Sequence, residues 1–313
     1  MLATAGIALV AHLIWSAMVV SLLGHFYSHR IINIRKIKTV ENNWEEMSSA
    51  FFYEAMSDAK IKKQPSVIFI GSSHTYGYPW QEPVIFSRIA SERLSDWRVA
   101  NLSYIAADIR GLLDHSLCSM GGDLKPDVLV AEIPLVNTIG SLDTTKARVK
   151  RRCSESARER IGYWKLVLSR PYGLGWLSLL WDEEAYQKPD ADLQIVKLPN
   201  TYFATRDRFG AVKSQFADEL REYVEAVSMM GHKVIVYVSP IYTPGIDEAG
   251  ADRGAVEMQI EFAYNICREN DKVICIHPAL LGMKREMFYN LTHLNQRGHR
   301  ALGEMLAQQI VGR

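Results

Sequence analysis

A surplus of either charge is missing from this chain: 36 Lys and Arg stand against 35 Asp and Glu, a net charge of +1 over 313 residues. No overall field therefore draws it to nucleic acid or to an acidic surface. C-x-x-C pairs and zinc-type Cys/His spacings are also missing, so neither a metal site nor a thioredoxin-like redox motif is readable, and no cofactor is implied. No strand-like run leads into a Gly-rich phosphate loop, which argues against a nucleotide binder. Internal repeats and low-complexity tracts are absent. Four cysteines, Cys118, Cys153, Cys267 and Cys275, leave two readings open. They form two bridges in an oxidising compartment, or they are buried thiols.

What is present is an ordinary globular composition, 48% hydrophobic and 23% charged, which suits one large α/β domain with an appendage or two small domains. The appendage is at the front. Met1–Phe26 carries no Asp, Glu, Lys or Arg, and ~20 apolar residues are enough for a helix to cross a membrane. A cleaved signal peptide is the other reading, but no basic start precedes the run and no small-x-small site follows it. Residues 1–28 are therefore expected to be a transmembrane anchor. Arg30, Arg35, Lys36 and Lys38 all follow it, so the positive-inside rule points the rest of the chain to the cytoplasm.

Residues 29–62 read as a connector. Within it Glu41–Lys60 has helical spacing, with Trp44, Met47, Phe51 and Met56 on one side. From 63 the rhythm changes to short apolar runs, at Ser66–Gly71, Arg98–Ser103, Asp127–Ile133, Lys233–Val238 and Lys272–Ile276. Such runs fit strands buried on both faces. Helical stretches alternate with them, at Val84–Leu94, Ile109–Met120, Gln215–Met230, Val256–Asn270 and Gln296–Val311. This alternation predicts an α/β three-layer sandwich with a five-stranded parallel sheet in flavodoxin-like order. Chemistry in such a sheet sits at the carboxyl ends of the strands.

The third and fourth runs lie about a hundred residues apart, where a crossover needs only ~10–30. An insertion at about 140–212 fills the gap. It holds a basic run, Lys146–Arg152, and then Tyr163, Trp164, Trp176 and Trp181. A small helical cap with an aromatic core is expected there; a bilayer-facing surface is the sharper reading.

Two blocks carry the chemistry. The first run leads directly into Gly71, Ser72, Ser73, His74, Thr75, Tyr76 and Gly77, placing a serine just past the end of the first parallel strand. A helix starting there points backbone N–H groups at developing negative charge. The second block, Asn290, Leu291, Thr292, His293, Leu294 and Asn295, with Gly298, precedes the last helix.

In these two blocks the chain resembles the SGNH/GDSL hydrolase superfamily, from Ser66 to Arg313. That family carries a Gly-Asp-Ser-Leu-like block after its first strand. An Asp-x-x-His block, often followed by Leu-Asn-x-x-Gly, precedes its last helix. The resemblance implies Ser73 as nucleophile and His293 as the base that takes its proton. It also implies an oxyanion hole from the Ser73 N–H, the Ala106 N–H and the Asn137 side chain. The stretch Asn101–Ala106 departs from the family's Asn-x-Gly-x-x-Gly, with Ser103 and Ala106 in place of the glycines. Asn137 has a competing reading as a loop cap.

Asn290 is the largest departure, since the family has Asp there. An amide orients the imidazole but cannot offset its charge; the equivalent change in serine proteases lowers turnover by about 10⁴. A backbone carbonyl or another carboxylate is needed to substitute. Asn290–Thr292 is also a glycosylation sequon, read as accidental beside such a site. His74, Tyr76, Tyr78 and Trp80 follow the serine and are candidate substrate contacts, the last three as a stacking wall for a sugar. Packing explains them too. His277 ends the fifth run and is expected to pack in its loop.

The function implied is a serine esterase or O-acyltransferase acting on acyl esters, acetyl foremost, of a cell-envelope polysaccharide. Membrane-tethered family members of this layout work outside the cytoplasm, beside a multi-span membrane acyltransferase. That resemblance points the domain outward, against the charge rule. The alternative is a catalytically weakened SGNH domain that binds polysaccharide or scaffolds such a complex.

Overall fold

The computed structural model describes residues 11, 14–15, 31–33, 63–77, 85–103, 108–113, 125–142, 193 and 203–312. Most of the anchor at 1–28, the helix expected at Glu41–Lys60 and the aromatic part of the insertion lie outside these residues. Among the described residues no helix is long and apolar enough to cross a membrane.

The five expected strands are all present and all parallel. They are β2 (Ser66–Gly71), β3 (Arg98–Ser103), β4 (Val128–Ile133), β5 (Lys233–Val238) and β6 (Val273–Ile276). Their order is β3-β2-β4-β5-β6, as in flavodoxin-like sheets. Among the described residues a further strand, β1 (Ile31–Asn33), pairs in parallel with β3 and extends the edge of this five-stranded core. The addition comes from the segment expected to be a connector helix. Three apolar-leaning residues between basic ones carry no period, and only an open sheet edge makes a strand of them.

Alternation within each strand builds the two faces. Ile68, Ile70, Ala100, Leu102, Leu129, Ala131, Val234 and Val236 point one way, into a core shared with α4 (Arg206–Ser228) and α5 (Arg253–Arg268). Val67, Phe69, Val99, Val128, Val130 and Ile235 point the other way. That side is covered by α2 (Phe86–Arg93) and α6 (Gln296–Val311), through Phe86, Ala90, Leu302, Leu306 and Ile310. Burial on both faces is why these strands read as continuous apolar runs.

Helix α4 begins well before its expected start at Gln215. Thr205 caps it, its hydroxyl accepting from the Arg208 N–H at 3.3 Å. Phe209 and Phe216 bury the first turns, and Gly210 is tolerated inside them. At the insertion's other end α3 (Leu135–Leu142) runs past 140. Both ends of the expected 140–212 insertion therefore belong to helices that flank the sheet.

Cys267, near the end of α5, is disulfide-bonded to Cys275 in β6, which decides the open cysteine question for this pair. Cys118 and Cys153 lie outside the described residues.

Candidate active site

Strand β2 ends at Gly71 and the chain turns at once into α1 (Ser73–Tyr76), a single helical turn closed by Gly77 at φ 83. A left-handed φ of that size favours glycine. Gly71 is needed for another reason: a Cβ there would overlap Thr75 Oγ1 and the Oε2 of Glu132. This tight turn leaves Ser73 half-exposed while its neighbours Ser72, His74, Thr75 and Tyr76 are buried.

The histidine arrives on a short antiparallel hairpin, β7 (Phe288–Asn290) and β8 (His293–Leu294). Asn290 shapes the turn. Its Oδ1 accepts from the backbone N–H of Thr292 at 3.0 Å and of His293 at 2.9 Å, an Asx-type turn. The Leu291 carbonyl accepts from the Tyr242 N–H at 2.8 Å, tying the hairpin to the loop after β5. Asn295 then caps α6 by accepting from the N–H groups of Arg297 and Gly298.

The two ends of the chain meet here. His293 Nε2 lies 2.9 Å from Ser73 Oγ, across 220 positions of sequence. On the far side of the ring, Nδ1 lies 3.1 Å from Asn290 Oδ1 and 3.2 Å from Thr292 Oγ1. Asn290 Oδ1 only accepts, so the ring hydrogen belongs on Nδ1 and Nε2 is left as acceptor for the serine hydroxyl. Burial first, then the charge of His74, lower the His293 pKa to about 3, with Glu132 opposing. The ring is therefore a neutral base at ordinary pH.

Beneath the turn sits a group that the sequence reading passed over. Glu132, in β4, is fully buried. Its carboxylate accepts from Ser72 N and Oγ at 2.8 and 2.5 Å, from Thr75 N and Oγ1 at 3.1 and 2.6 Å, and from Ser239 Oγ at 2.7 Å. His74 Nδ1 lies 3.2 Å away. Burial pushes the carboxyl up, but the bond and charge of His74, with the bonds from Ser72 and Thr75, outweigh it and hold the pKa at about 2. Tyr223 and Tyr237 surround it, the first through its OH on the Glu132 carbonyl and the second through Thr75 Oγ1. The signal was available: a lone acidic residue inside an apolar run that would be buried on both faces.

The remaining candidates fall out as follows. His74 is buried on Glu132, and its ring stacks on His293 at 5.2 Å and 18°. Tyr76 is 6% exposed, which agrees with the packing reading of that residue. Its place in a one-turn helix folds the ring inward. Tyr78, Trp80 and Ala106 lie outside the described residues. Asn137 is in the helix α3, not in a loop as a cap reading requires, because Leu135 and Ile139 draw that segment onto the core. His277 packs in its loop, its Nδ1 accepting from Ala279 N and its ring against Tyr264.

No family model matches this chain, and no curated protein matches it. Among solved structures it is similar to a member of the lipolytic protein G-D-S-L family from Veillonella parvula DSM 2008. The identity is 12% and the TM-score 0.44, over 79% of this chain and 97% of that one. It is similar to a catalytic mutant of Axe2, an acetylxylan esterase from Geobacillus stearothermophilus, at 13% identity and TM-score 0.44, over 79% and 94%. It is also similar to LAE5, an alpha/beta hydrolase enzyme from the metagenome of Lake Arreo, Spain, at 12% and 0.43, over 79% and 95%. At that identity and overlap no residue's role follows from the likeness. The geometry above stands on its own.

Proposed function

We propose that this chain is a serine esterase or O-acyltransferase of SGNH type, working on acyl esters of a cell-envelope polysaccharide through an acyl-enzyme at Ser73. One observation carries the reading: an accessible serine hydroxyl at the carboxyl end of the sheet, 2.9 Å from the acceptor nitrogen of a neutral imidazole. Ser73 Oγ gives its proton to His293 Nε2 and bonds to the ester carbonyl carbon. The tetrahedral intermediate collapses, and the alcohol leaves with the proton from His293. Water or a sugar hydroxyl then gives a proton to His293 and attacks the acyl-enzyme. The second tetrahedral intermediate collapses with cleavage of the bond from Ser73 Oγ to the acyl carbon, and Ser73 Oγ takes the proton back from His293; water as acceptor yields the free acid, a sugar hydroxyl a new ester.

The oxyanion needs donors. The Ser73 N–H is in the first turn of α1, where no intrahelical acceptor exists. Ala106 N–H and the Asn137 side chain are assigned to complete the hole.

An activity-based fluorophosphonate probe tests the reading. Folded wild type takes the label and Ser73→Ala does not. Adding an oligosaccharide acceptor to an acyl-ester assay separates transferase from hydrolase, by formation of the acylated sugar. A folded wild type that never labels supports the second reading, a binding or scaffolding domain, which Asn290 favours because its amide brings no charge to His293.

The domain is proposed to face outward from a membrane anchor at 1–28, beside a multi-span acyltransferase. The Cys267–Cys275 bridge supports an oxidising compartment, while the basic residues after the anchor pull the other way. A C-terminal reporter active only in the cytoplasm would overturn the orientation.

A further inference from the structure

Proton transfer from Ser73 needs the ring plane of His293 held still, because the accepting lone pair of Nε2 lies in that plane. The hairpin grips the ring by one edge. Asn290 Oδ1 and Thr292 Oγ1 face Nδ1 at 3.1 and 3.2 Å. The same amide oxygen also accepts from Thr292 N, His293 N and Thr292 Oγ1. It has two lone pairs for these donors, so its hold on the ring is shared. An edge contact of this kind lets the plane pivot; a contact on the ring face stops it. His74 supplies one. Its ring lies over His293 with centroids 5.2 Å apart and planes 18° from parallel, an offset stack. His74 is itself fixed: it is buried, and its Nδ1 faces the Glu132 carboxylate at 3.2 Å. A carboxylate only accepts, so the hydrogen is on Nδ1 in either charge state of His74, and Glu132 sets the ring plane in both.

Resting on the acyl-transfer reading, we infer that His74 is a positioning residue for that reaction: anchored on Glu132, its flat face keeps His293 from tilting away from Ser73. The face is what acts, not the charge. His74 Nε2 is buried and has no hydrogen-bond partner among the described residues. A phenyl ring in its place therefore loses nothing at that end. At the other end Glu132 keeps its donors from Ser72, Thr75 and Ser239, so the carboxylate is not left unpaired. The arrangement also explains why the residue next to the nucleophile has this role. One turn places the serine hydroxyl and backs the ring that receives its proton, at 2.9 Å, so base and nucleophile keep register although they come from opposite ends of the chain.

The test compares His74→Phe with His74→Leu in the full chain. Both substitutions remove the imidazole, whatever charge it holds, so they change the field at His293 alike and differ in the flat ring. The rate of fluorophosphonate labelling is measured on the wild-type pH plateau, with circular dichroism to report folding. His74→Leu slows labelling by about 10- to 100-fold, the scale of a small misplacement of a reacting group. His74→Phe recovers most of that loss. A packing role alone is met by either apolar side chain and leaves the two variants alike. Folded His74→Phe that labels as slowly as His74→Leu therefore overturns the inference, and so does folded His74→Leu at the wild-type rate. If His74→Leu does not fold, His74→Ala takes its place in the comparison. Folded wild type that takes no label sinks the acyl-transfer reading and this inference with it. Labelled wild type with two variants that do not differ sinks the inference alone.

Discussion

Asn290 does two jobs that an aspartate also does, and omits a third. It closes the turn by accepting two backbone N–H groups, and it holds the Nδ1 hydrogen of His293. It brings no charge. Asn290→Asp keeps every acceptor and adds that charge 3.1 Å from Nδ1. Turnover of an acyl-ester substrate should rise by between about tenfold and the roughly 10⁴ lost in the reverse change in serine proteases. An unchanged or lower turnover counts against His293 as the base. Gly71 gives a second prediction at this scale. A methyl group there meets Thr75 Oγ1 and Glu132 side-chain atoms, so Gly71→Ala is expected to cost about 1–3 kcal/mol in urea unfolding.

At the scale of elements, the site depends on how α6 begins. Asn295 accepts from Arg297 and Gly298 N–H, and its Nδ2 donates to the Glu286 carbonyl at 2.8 Å. One side chain thus caps the helix and fixes the stretch that leads into the histidine hairpin. Asn295→Ala should cost about 1–2 kcal/mol, read from denaturant midpoints, and slow serine labelling as the hairpin loosens. A stability loss with labelling unchanged would show that the hairpin is held elsewhere, for example by Tyr242 N–H on Leu291. The disulfide is a separate staple between α5 and edge strand β6. Breaking it with Cys275→Ser is expected to lower stability by about 2–3 kcal/mol while leaving labelling at 25 °C intact. The opposite outcome would tie that edge to the site.

For the whole molecule, acid is the predictable stress. Glu132 has a folded pKa of about 2 against 4.5. Its stabilisation is present above 4.5 and is lost as pH falls towards 2. His293 is held near 3 against 6.5. The unfolded ring takes a proton first, so stability is complete above 6.5 and drains as pH falls towards 3. Both act in one direction. The melting temperature should be level from about pH 8 down to the ordinary imidazole range and then fall steadily with acid. A midpoint that holds level down to pH 3 would mean that Glu132 and His293 are not buried as described.

Much of this was legible in one dimension. The strand runs, the final helix and the two end blocks are local signals: burial on both faces leaves continuous apolar residues, and a helix leaves a period. The start of α4 was not legible, because Gly210 and the charged residues around it blur the period that Phe209 and Phe216 restore only by packing. The edge strand Ile31–Asn33 was not legible either, since a partner strand far along the chain makes it. By itself the sequence determined a parallel α/β sheet, a serine after its first strand and a histidine before its last helix. Only the tertiary structure decided that these two meet at 2.9 Å and that a buried carboxylate from β4 braces the nucleophile turn. Sequence period reports which face a residue turns to the core, whereas contact between side chains 220 positions apart depends on where the crossovers set their strands.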